Sequence, residues 1–97
     1  KNPIISKSNL RKLQKTFHTM PFYPFQKDFK IPAAWLIEQS GLKGHQAGGL
    51  KISNLHALVI TNPGHGSHQD LEGLIIMIKK QVKANFTIDL ELAVELV

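Results

Sequence analysis

The chain contains no cysteine, which excludes a disulfide-stapled scaffold and a cysteine-based zinc site. It has no apolar run near the roughly 20 residues that span a bilayer, and no apolar stretch follows a basic head at its start, so we expect neither a membrane segment nor a signal peptide. Its 97 residues are 42% hydrophobic, too apolar for disorder and enough for one small domain. We therefore expect a single domain over residues 1–97, in a reducing cytoplasm.

Acidic residues are scarce in the first half of the chain. Residues 1–51 carry nine basic and two acidic side chains, a net charge of +7, whereas residues 52–97 carry three basic and five acidic ones, a net charge of −2. The positive half should attract an anionic partner. Nucleic acid, a nucleotide diphosphate and an acidic membrane surface all meet this condition, and charge alone does not choose among them.

Two helices are indicated in the first half. Ser6 or Ser8 can cap a helix that runs to about His18, with an apolar stripe along one side. Pro32 suits the first turn of a second helix, which Gly41 is placed to end as a left-handed cap. Between them, three prolines in residues 20–32 exclude a regular helix, and we predict a loop.

A third helix has the strongest signal. Ser67 followed by Asp70 resembles a capping box with aspartate in place of glutamate. Apolar residues then recur at helical spacing, at Leu71, Leu74, Ile75, Ile78 and Val82. We expect Leu74, Ile75 and Ile78 of this face to form one core with four residues from elsewhere in the chain: Trp35, Leu36, Val59 and Leu90.

Two segments are typical of strands. The apolar run over residues 57–60 predicts a buried strand, and the strict alternation over residues 87–97 predicts a strand covered on one face. Gly48 and Gly49 allow either a tight turn or a close backbone approach to a ligand. We predict a small α+β domain, with about three helices packed on a mixed or antiparallel sheet.

Residue chemistry alone offers no catalytic machinery. His65 and His68 lie three apart in a glycine-containing loop, but a metal site would need a third ligand and a supporting shell, so we expect a solvated loop and a helix cap. The chain has no nucleophile elbow, no paired carboxylates and no glycine-rich phosphate loop.

Residues 33–44 resemble the A-A-W-L-I-[DE]-Q-x-x-L-K-G signature of the UDP-N-acetylenolpyruvoylglucosamine reductases, the MurB family. Four flanking matches keep the family's order and spacing: Lys1-Asn2-Pro3 with the end of G-S-F-F-K-N-P, Gly48-Gly49, His56-Ala57, and Leu90-Glu91 with the start of L-E-P-E-V-R. The resemblance thus spans nearly the whole chain.

The resemblance implies the carboxy-terminal, substrate-binding domain of a cytoplasmic oxidoreductase. In that family NADPH reduces bound FAD, and the enolpyruvyl ether of UDP-N-acetylglucosamine enolpyruvate becomes UDP-N-acetylmuramate, a peptidoglycan precursor needed for cell shape and division. A serine donates a proton and a glutamate assists. FAD is held by amino-terminal domains, so we expect this chain to bind neither cofactor and no metal. The implied partners are the UDP-sugar and the flavin-binding domains, and neither nucleic acid nor a membrane.

The resemblance also implies four substrate-binding residues. Asn2 matches an asparagine that contacts the phosphate region. Tyr23 lies where one branch of the family has a tyrosine that closes on the diphosphate, so we expect a mobile lid with Tyr23 exposed. Lys43 and His56 match positions that line the same pocket. A phenol and an imidazole can donate hydrogen bonds, and a lysine supplies charge.

Two departures concern catalysis, and no catalytic residue is assigned within the chain. The proton-donating serine would precede Lys1 by three positions. The glutamate position of the P-E-V-R motif is occupied by Ala93, flanked by Glu91 and Glu95. These departures leave open an alternative, a degenerate nucleotide-sugar-binding or regulatory module without catalysis. A small basic nucleic-acid-binding domain is a third possibility that charge alone admits.

Overall fold

The computed structural model describes all 97 residues. It contains three helices and seven short strands, in the order β1 (Ile4–Ile5), α1 (Lys7–Gln14), β2 (Tyr23–Phe25), β3 (Asp28–Lys30), α2 (Ala33–Gln39), β4 (Gln46–Ala47), β5 (Leu50–Ile52), β6 (Val59–Thr61), α3 (His68–Phe86) and β7 (Glu95–Leu96). The α+β prediction is confirmed, although the strands form two sheets rather than one. None of the three helices combines the length and the apolar character that crossing a membrane requires.

The first sheet has the order β1-β3-β2 and is antiparallel. The prediction of a loop over residues 20–32 is therefore wrong in part, because β2 and β3 form a hairpin there. Pro24 is tolerated because β2 is an edge strand, where a missing N–H can face solvent. The two-residue connection gave no sequence signal, because its positive φ of 54° falls on Gln26 rather than on a glycine.

The second sheet has the order β4-β5-β6-β7. Strands β4, β5 and β6 are antiparallel, whereas β7 runs parallel to β6 and is reached through α3. Strand β6 begins at Val59, two residues later than predicted, because Ala57 and Leu58 lie in a turn. Gly48 and Gly49 connect β4 to β5, so the turn interpretation of this pair is confirmed.

Local capping sets the helix ends. Ser6 Oγ accepts a hydrogen bond from Asn9 N at 3.1 Å and begins α1. Helix α1 ends at Gln14 instead of His18, since the chain turns there and delivers Phe17 and Met20 to the core. Gly41 ends α2 with a φ of +73°, as predicted.

The capping box of α3 is complete. Asp70 N donates to Ser67 Oγ at 3.1 Å, and Ser67 N donates to Asp70 Oδ2 at 2.8 Å. The helix then buries a stripe that advances four residues at a time, at Leu74, Ile78, Val82 and Phe86. The predicted cap and most of the predicted face are thus confirmed.

The core contains four of the seven predicted residues as buried side chains: Leu36, Leu74, Ile78 and Leu90. Trp35 is half-buried and packs against the core. Ile75 and Val59 are half-buried and stand outside it, which corrects the prediction. Ile75 lies beside the narrow stripe of α3, and Val59 points to the opposite side of β6 from the fully buried Ile60.

The tail after α3 keeps its alternation but is mostly not a strand. Ile88 and Leu90 are buried, and Leu92 and Val94 are half-buried. Ladder pairing appears only at Glu95–Leu96, where Leu96 is 50% exposed. The alternation of apolar and polar residues therefore indicates an extended chain with one covered face. The strand prediction is wrong for most of this segment.

Backbone packs directly on backbone beside the β4–β5 turn. Gly64 N donates to Gly49 O at 3.0 Å, and a Cβ on Gly49 would overlap the backbone of both Gly64 and Gly66. Only glycine fits this contact.

Substituting Ile78 by alanine should lower the free energy of unfolding by about 2–5 kcal/mol, because its side chain is fully buried. Ile76 on the same helix is 58% exposed, so Ile76→Ala should cost less than about 0.5 kcal/mol. Urea denaturation of both variants measures this difference. Equal losses would show that the helix face is assigned wrongly.

Gly49→Ala should destabilise the domain by about 1–3 kcal/mol, because the added methyl group forces the two loops apart. Gly73 in α3 meets nothing within 4 Å of an added Cβ, so Gly73→Ala should stabilise by about 0.5–1 kcal/mol. Thermal melts of the two variants should move in opposite directions. A neutral Gly49→Ala would mean that the loops do not touch.

Candidate functional site

A groove lies between the first residues of the chain and the segment that follows α3. Its volume is about 600 Å³, and it is lined by Lys1, Asn2, Pro3, Ile4, Ile5, Ser6, Asn9, Thr87, Ile88, Asp89 and Glu91. Pairing of β1 with β3, together with a 3.0 Å hydrogen bond from Ile31 N to Pro3 O, holds its first wall. Of the four predicted substrate-binding residues, only Asn2 lines this groove.

The groove brings distant parts of the sequence together. Lys1 Nζ lies 3.8 Å from Glu91 Oε2. Both side chains are largely exposed, so this ion pair adds little stability. The start of the chain nevertheless runs alongside the tail that carries Ala93.

Asn2 has a structural partner that the sequence did not reveal. Its Oδ1 accepts a hydrogen bond from Ala33 N at 3.0 Å. Helix α2 begins after Pro32, which provides no side-chain cap. Asn2 therefore caps α2 from 31 positions away in the chain.

Tyr23 lies on edge strand β2, opposite Lys30. Its side chain is 58% exposed, as expected. Beside it on the hairpin, Lys30 Nζ stands 4.1 Å from the centre of the Phe25 ring, a cation–π contact. Tyr23 is thus presented by paired strands, and the ordering of this segment by a ligand stays a prediction.

Lys43 and His56 lie on neighbouring turns. Lys43 Nζ pairs with Glu38 Oε1 at 3.4 Å and keeps 30% of its side chain exposed. A Cβ on the next residue, Gly44, would overlap the side chain of Asn54. His56 follows two residues after Asn54 and is exposed.

The four residues come from both ends of α2. Asn2 bonds to the first residue of α2, and Tyr23 is paired with Lys30, on the opposite side of β3 from β1. Lys43 and His56 follow the end of the helix in the sequence. Seven helical residues span about 10 Å. A ligand that contacts all four residues must therefore be extended.

A second, smaller pocket of about 320 Å³ adjoins the groove and shares Ile5, Asn9, Thr87 and Ile88 with it. Sequence reasoning missed Thr87, which lines both pockets and has a φ of +57° at the end of α3. A β-branched residue in this left-handed region costs about 1–3 kcal/mol. A glycine at position 87 would have indicated the end of α3 in the sequence, but the residue there is threonine.

The family model described as "UDP-N-acetylenolpyruvoylglucosamine reductase, C-terminal domain" matches residues 1–97. The chain belongs to this family.

Curated relatives carry the same name. A UDP-N-acetylenolpyruvoylglucosamine reductase of Pseudoalteromonas atlantica is 48% identical over 98 residues, covering 100% of this chain and 28% of the relative. That of Vibrio cholerae is 43% identical over 91 residues, covering 94% and 26%. That of Flavobacterium johnsoniae is 36% identical over 98 residues, covering 100% and 29%. The chain therefore spans a little over a quarter of the length of these reductases.

The helix starts of this C-terminal domain lack the glycine-rich loop that commonly presents free N–H groups to a dinucleotide pyrophosphate. A side chain accepts one N–H at each of them: Ser6 at α1, Asn2 at α2 and Ser67 at α3. No residue of the domain is assigned to FAD or NADPH on these grounds.

His68, the first residue of α3, lies against a neighbouring carboxylate. His68 Nε2 lies 3.0 Å from Glu72 Oε1, one helical turn away. The chain contains no group of three or more histidine, aspartate or glutamate side chains that could hold a metal ion.

Proposed function

We propose that this chain is the UDP-sugar-binding domain, over residues 1–97, of a cytoplasmic reductase that forms UDP-N-acetylmuramate from UDP-N-acetylenolpyruvoylglucosamine during peptidoglycan precursor synthesis. The observation that supports this is the family match over every residue of the chain. The flavin-binding domains that hold FAD and receive electrons from NADPH belong to the remainder of the parent protein.

Asn2, Tyr23, Lys43 and His56 bind the UDP-sugar on this proposal. Their arrangement along α2 suits a long ligand such as a nucleotide sugar, whose diphosphate needs donors and positive charge. Asn2 and Tyr23 contact it at the start of the helix, and Lys43 and His56 at its end. Lys43 is paired with Glu38 at 3.4 Å, so the diphosphate competes with that carboxylate for the lysine ammonium group.

Titration of the ¹⁵N-labelled chain with UDP-N-acetylglucosamine tests the proposal. We expect amide shifts at both ends of α2, in the Tyr23 hairpin and in the His56 loop. Tyr23→Phe removes one charge-assisted hydrogen bond and should weaken binding about tenfold. N-acetylglucosamine alone is the control and should bind far more weakly. Shifts confined to other surfaces, or no shifts at millimolar ligand, would contradict the proposal.

Ala93 favours a second candidate, a nucleotide-sugar-binding or regulatory module without catalysis. Ala93 is exposed on the tail, and its neighbours at two residues' distance, Glu91 and Glu95, are also exposed. For a catalytic parent, we propose that one of these carboxylates replaces the family glutamate.

Steady-state turnover of the full-length parent separates the two candidates. For a catalyst, we expect wild-type turnover, and Glu91→Gln or Glu95→Gln should lower kcat about 100-fold or more, as loss of an acid–base group does. For a module without catalysis, wild-type turnover is absent and Ala93→Glu restores it. Turnover that none of the three substitutions changes would show that no carboxylate on this tail takes part in catalysis.

A further inference from the structure

The smaller pocket, here called the α1–α3 pocket, lies between α1 and the end of α3 and has a volume of about 320 Å³. Its apolar lining comes from Ile5, Leu13, Phe86 and Ile88. Leu13 is half-buried and the other three side chains are buried, so they form an apolar floor. The chain changes from helix to extended backbone at Thr87, which places Phe86 and Ile88 against the same pocket. A concave site of this size and lining suits a small molecule.

Three polar side chains complete the pocket and form its exposed rim: Asn9, Lys12 and Thr87. Asn9 and Thr87 donate hydrogen bonds only through their backbone N–H groups, to Ser6 Oγ at 3.1 Å and to Lys83 O at 2.9 Å. The side-chain amide of Asn9 and the hydroxyl of Thr87 are therefore unpaired within the chain. Both can donate to a ligand that enters the pocket.

The charge of the pocket is positive and uncompensated. The ion pairs of the chain involve Lys1, Lys43, His68 and Lys83, so the ammonium group of Lys12 has no partner. No carboxylate lines the pocket, and no acidic residue occurs in residues 1–27. Asp89, which follows Ile88, lines the neighbouring groove and is paired with Lys83 at 3.0 Å. This pocket therefore favours an anion.

The floor and the rim together define the ligand. An anion without an apolar part would leave the floor unfilled, and an apolar molecule without a charge would leave Lys12 without a partner. A carboxylate can accept from the ammonium group of Lys12 and from the free donors of Asn9 and Thr87, in charge-assisted hydrogen bonds. An aromatic body suits the floor, because the Phe86 ring forms part of it.

We propose that the α1–α3 pocket is a binding site for a small organic carboxylate with an apolar, aromatic body, separate from the site of the UDP-sugar. Lys12 binds the carboxylate, and Ile5, Leu13, Phe86 and Ile88 enclose the body. The inference does not rest on the proposed function, since none of the four residues assigned to the UDP-sugar lines this pocket.

Titration of the ¹⁵N-labelled chain with phenylacetate tests the inference. We expect saturable amide shifts at Asn9, Lys12, Thr87 and Ile88, with a dissociation constant of about 1 mM or tighter. The fluorescence of Trp35 should change as well, because this sole tryptophan lies 5.8 Å from the Phe86 ring. Phenylacetamide keeps the ring but lacks the charge and should bind about tenfold more weakly, and acetate, which lacks the ring, should cause no saturable shifts.

Two methionine variants isolate the role of the ammonium group. Lys12→Met keeps a long side chain but loses the charge, so phenylacetate should bind about tenfold more weakly, while phenylacetamide should change less than about twofold. Lys15→Met is the matched control, because Lys15 is exposed at the end of the same helix and does not line the pocket. Its affinity for phenylacetate should change less than about twofold.

Equal affinity for phenylacetate and phenylacetamide, or equal losses in Lys12→Met and Lys15→Met, would overturn the inference. Displacement of phenylacetate by UDP-N-acetylglucosamine would show that the pocket is part of the substrate site, and would overturn the separate site while leaving the proposed function intact. The same titration of the full-length parent should give the same affinity. Binding by the 97-residue chain but not by the parent would show that the amino-terminal part of the parent covers the pocket, which also overturns the inference.

Discussion

Three aromatic rings join the three helices of this domain, and the remaining architecture depends on that contact. The Phe86 ring at the end of α3 lies 4.6 Å from the Phe17 ring, which follows α1, and 5.8 Å from the Trp35 ring on α2. The Phe17 and Trp35 rings meet edge-on at 6.4 Å. Such pairs contribute about 0.5–1.5 kcal/mol each beyond the area that they bury. Because the three rings come from widely separated parts of the chain, they fix the helices relative to one another.

This cluster explains the strain at Thr87. Phe86 must face the other two rings, and Ile88 must enter the core two residues later. The chain therefore changes from helix to extended backbone within one residue, and Thr87 takes a left-handed conformation to allow it. From there the tail runs back along the groove and ends beside β6. The groove wall and the parallel strand pair both follow from this reversal.

Local patterns predicted the helices well because helix formation is governed by short-range spacing and caps. The stripe of α3, its Ser67–Asp70 box and the left-handed Gly41 are all readable within a few residues of sequence. The hairpin at Tyr23 is not readable in this way, because its prolines indicate a loop and its turn has Gln26 in place of glycine. The tail was misread for a related reason: alternation reports which face is covered, and strand pairing requires a partner that sequence alone does not reveal.

The candidate site shows the same limit more sharply. Sequence resemblance places Asn2, Tyr23, Lys43 and His56 around one substrate, and this joint role stays a prediction; in the fold, two of them precede α2 and two follow it. The cap that Asn2 gives to α2 links residues 31 positions apart, and no local pattern could have indicated it. The resemblance named positions, whereas the relation between them is a property of tertiary structure.

The fold gives most residues of the signature over positions 33–44 a structural role. Most of its apolar members are packing residues, since Ala33, Leu36, Ile37 and Leu42 are buried, and its two glycines serve backbone turns with positive φ. Its charged members, Glu38 and Lys43, pair with each other at the far end. The signature thus specifies a short helix, α2, which packs against α3 and is capped by Asn2 at its start. Because the helix keeps its two ends at a constant distance, the residues next to its start and its end are held apart at a fixed spacing. On the proposed function, preorganisation of this kind reduces the conformational entropy that the protein would otherwise lose on binding an extended ligand.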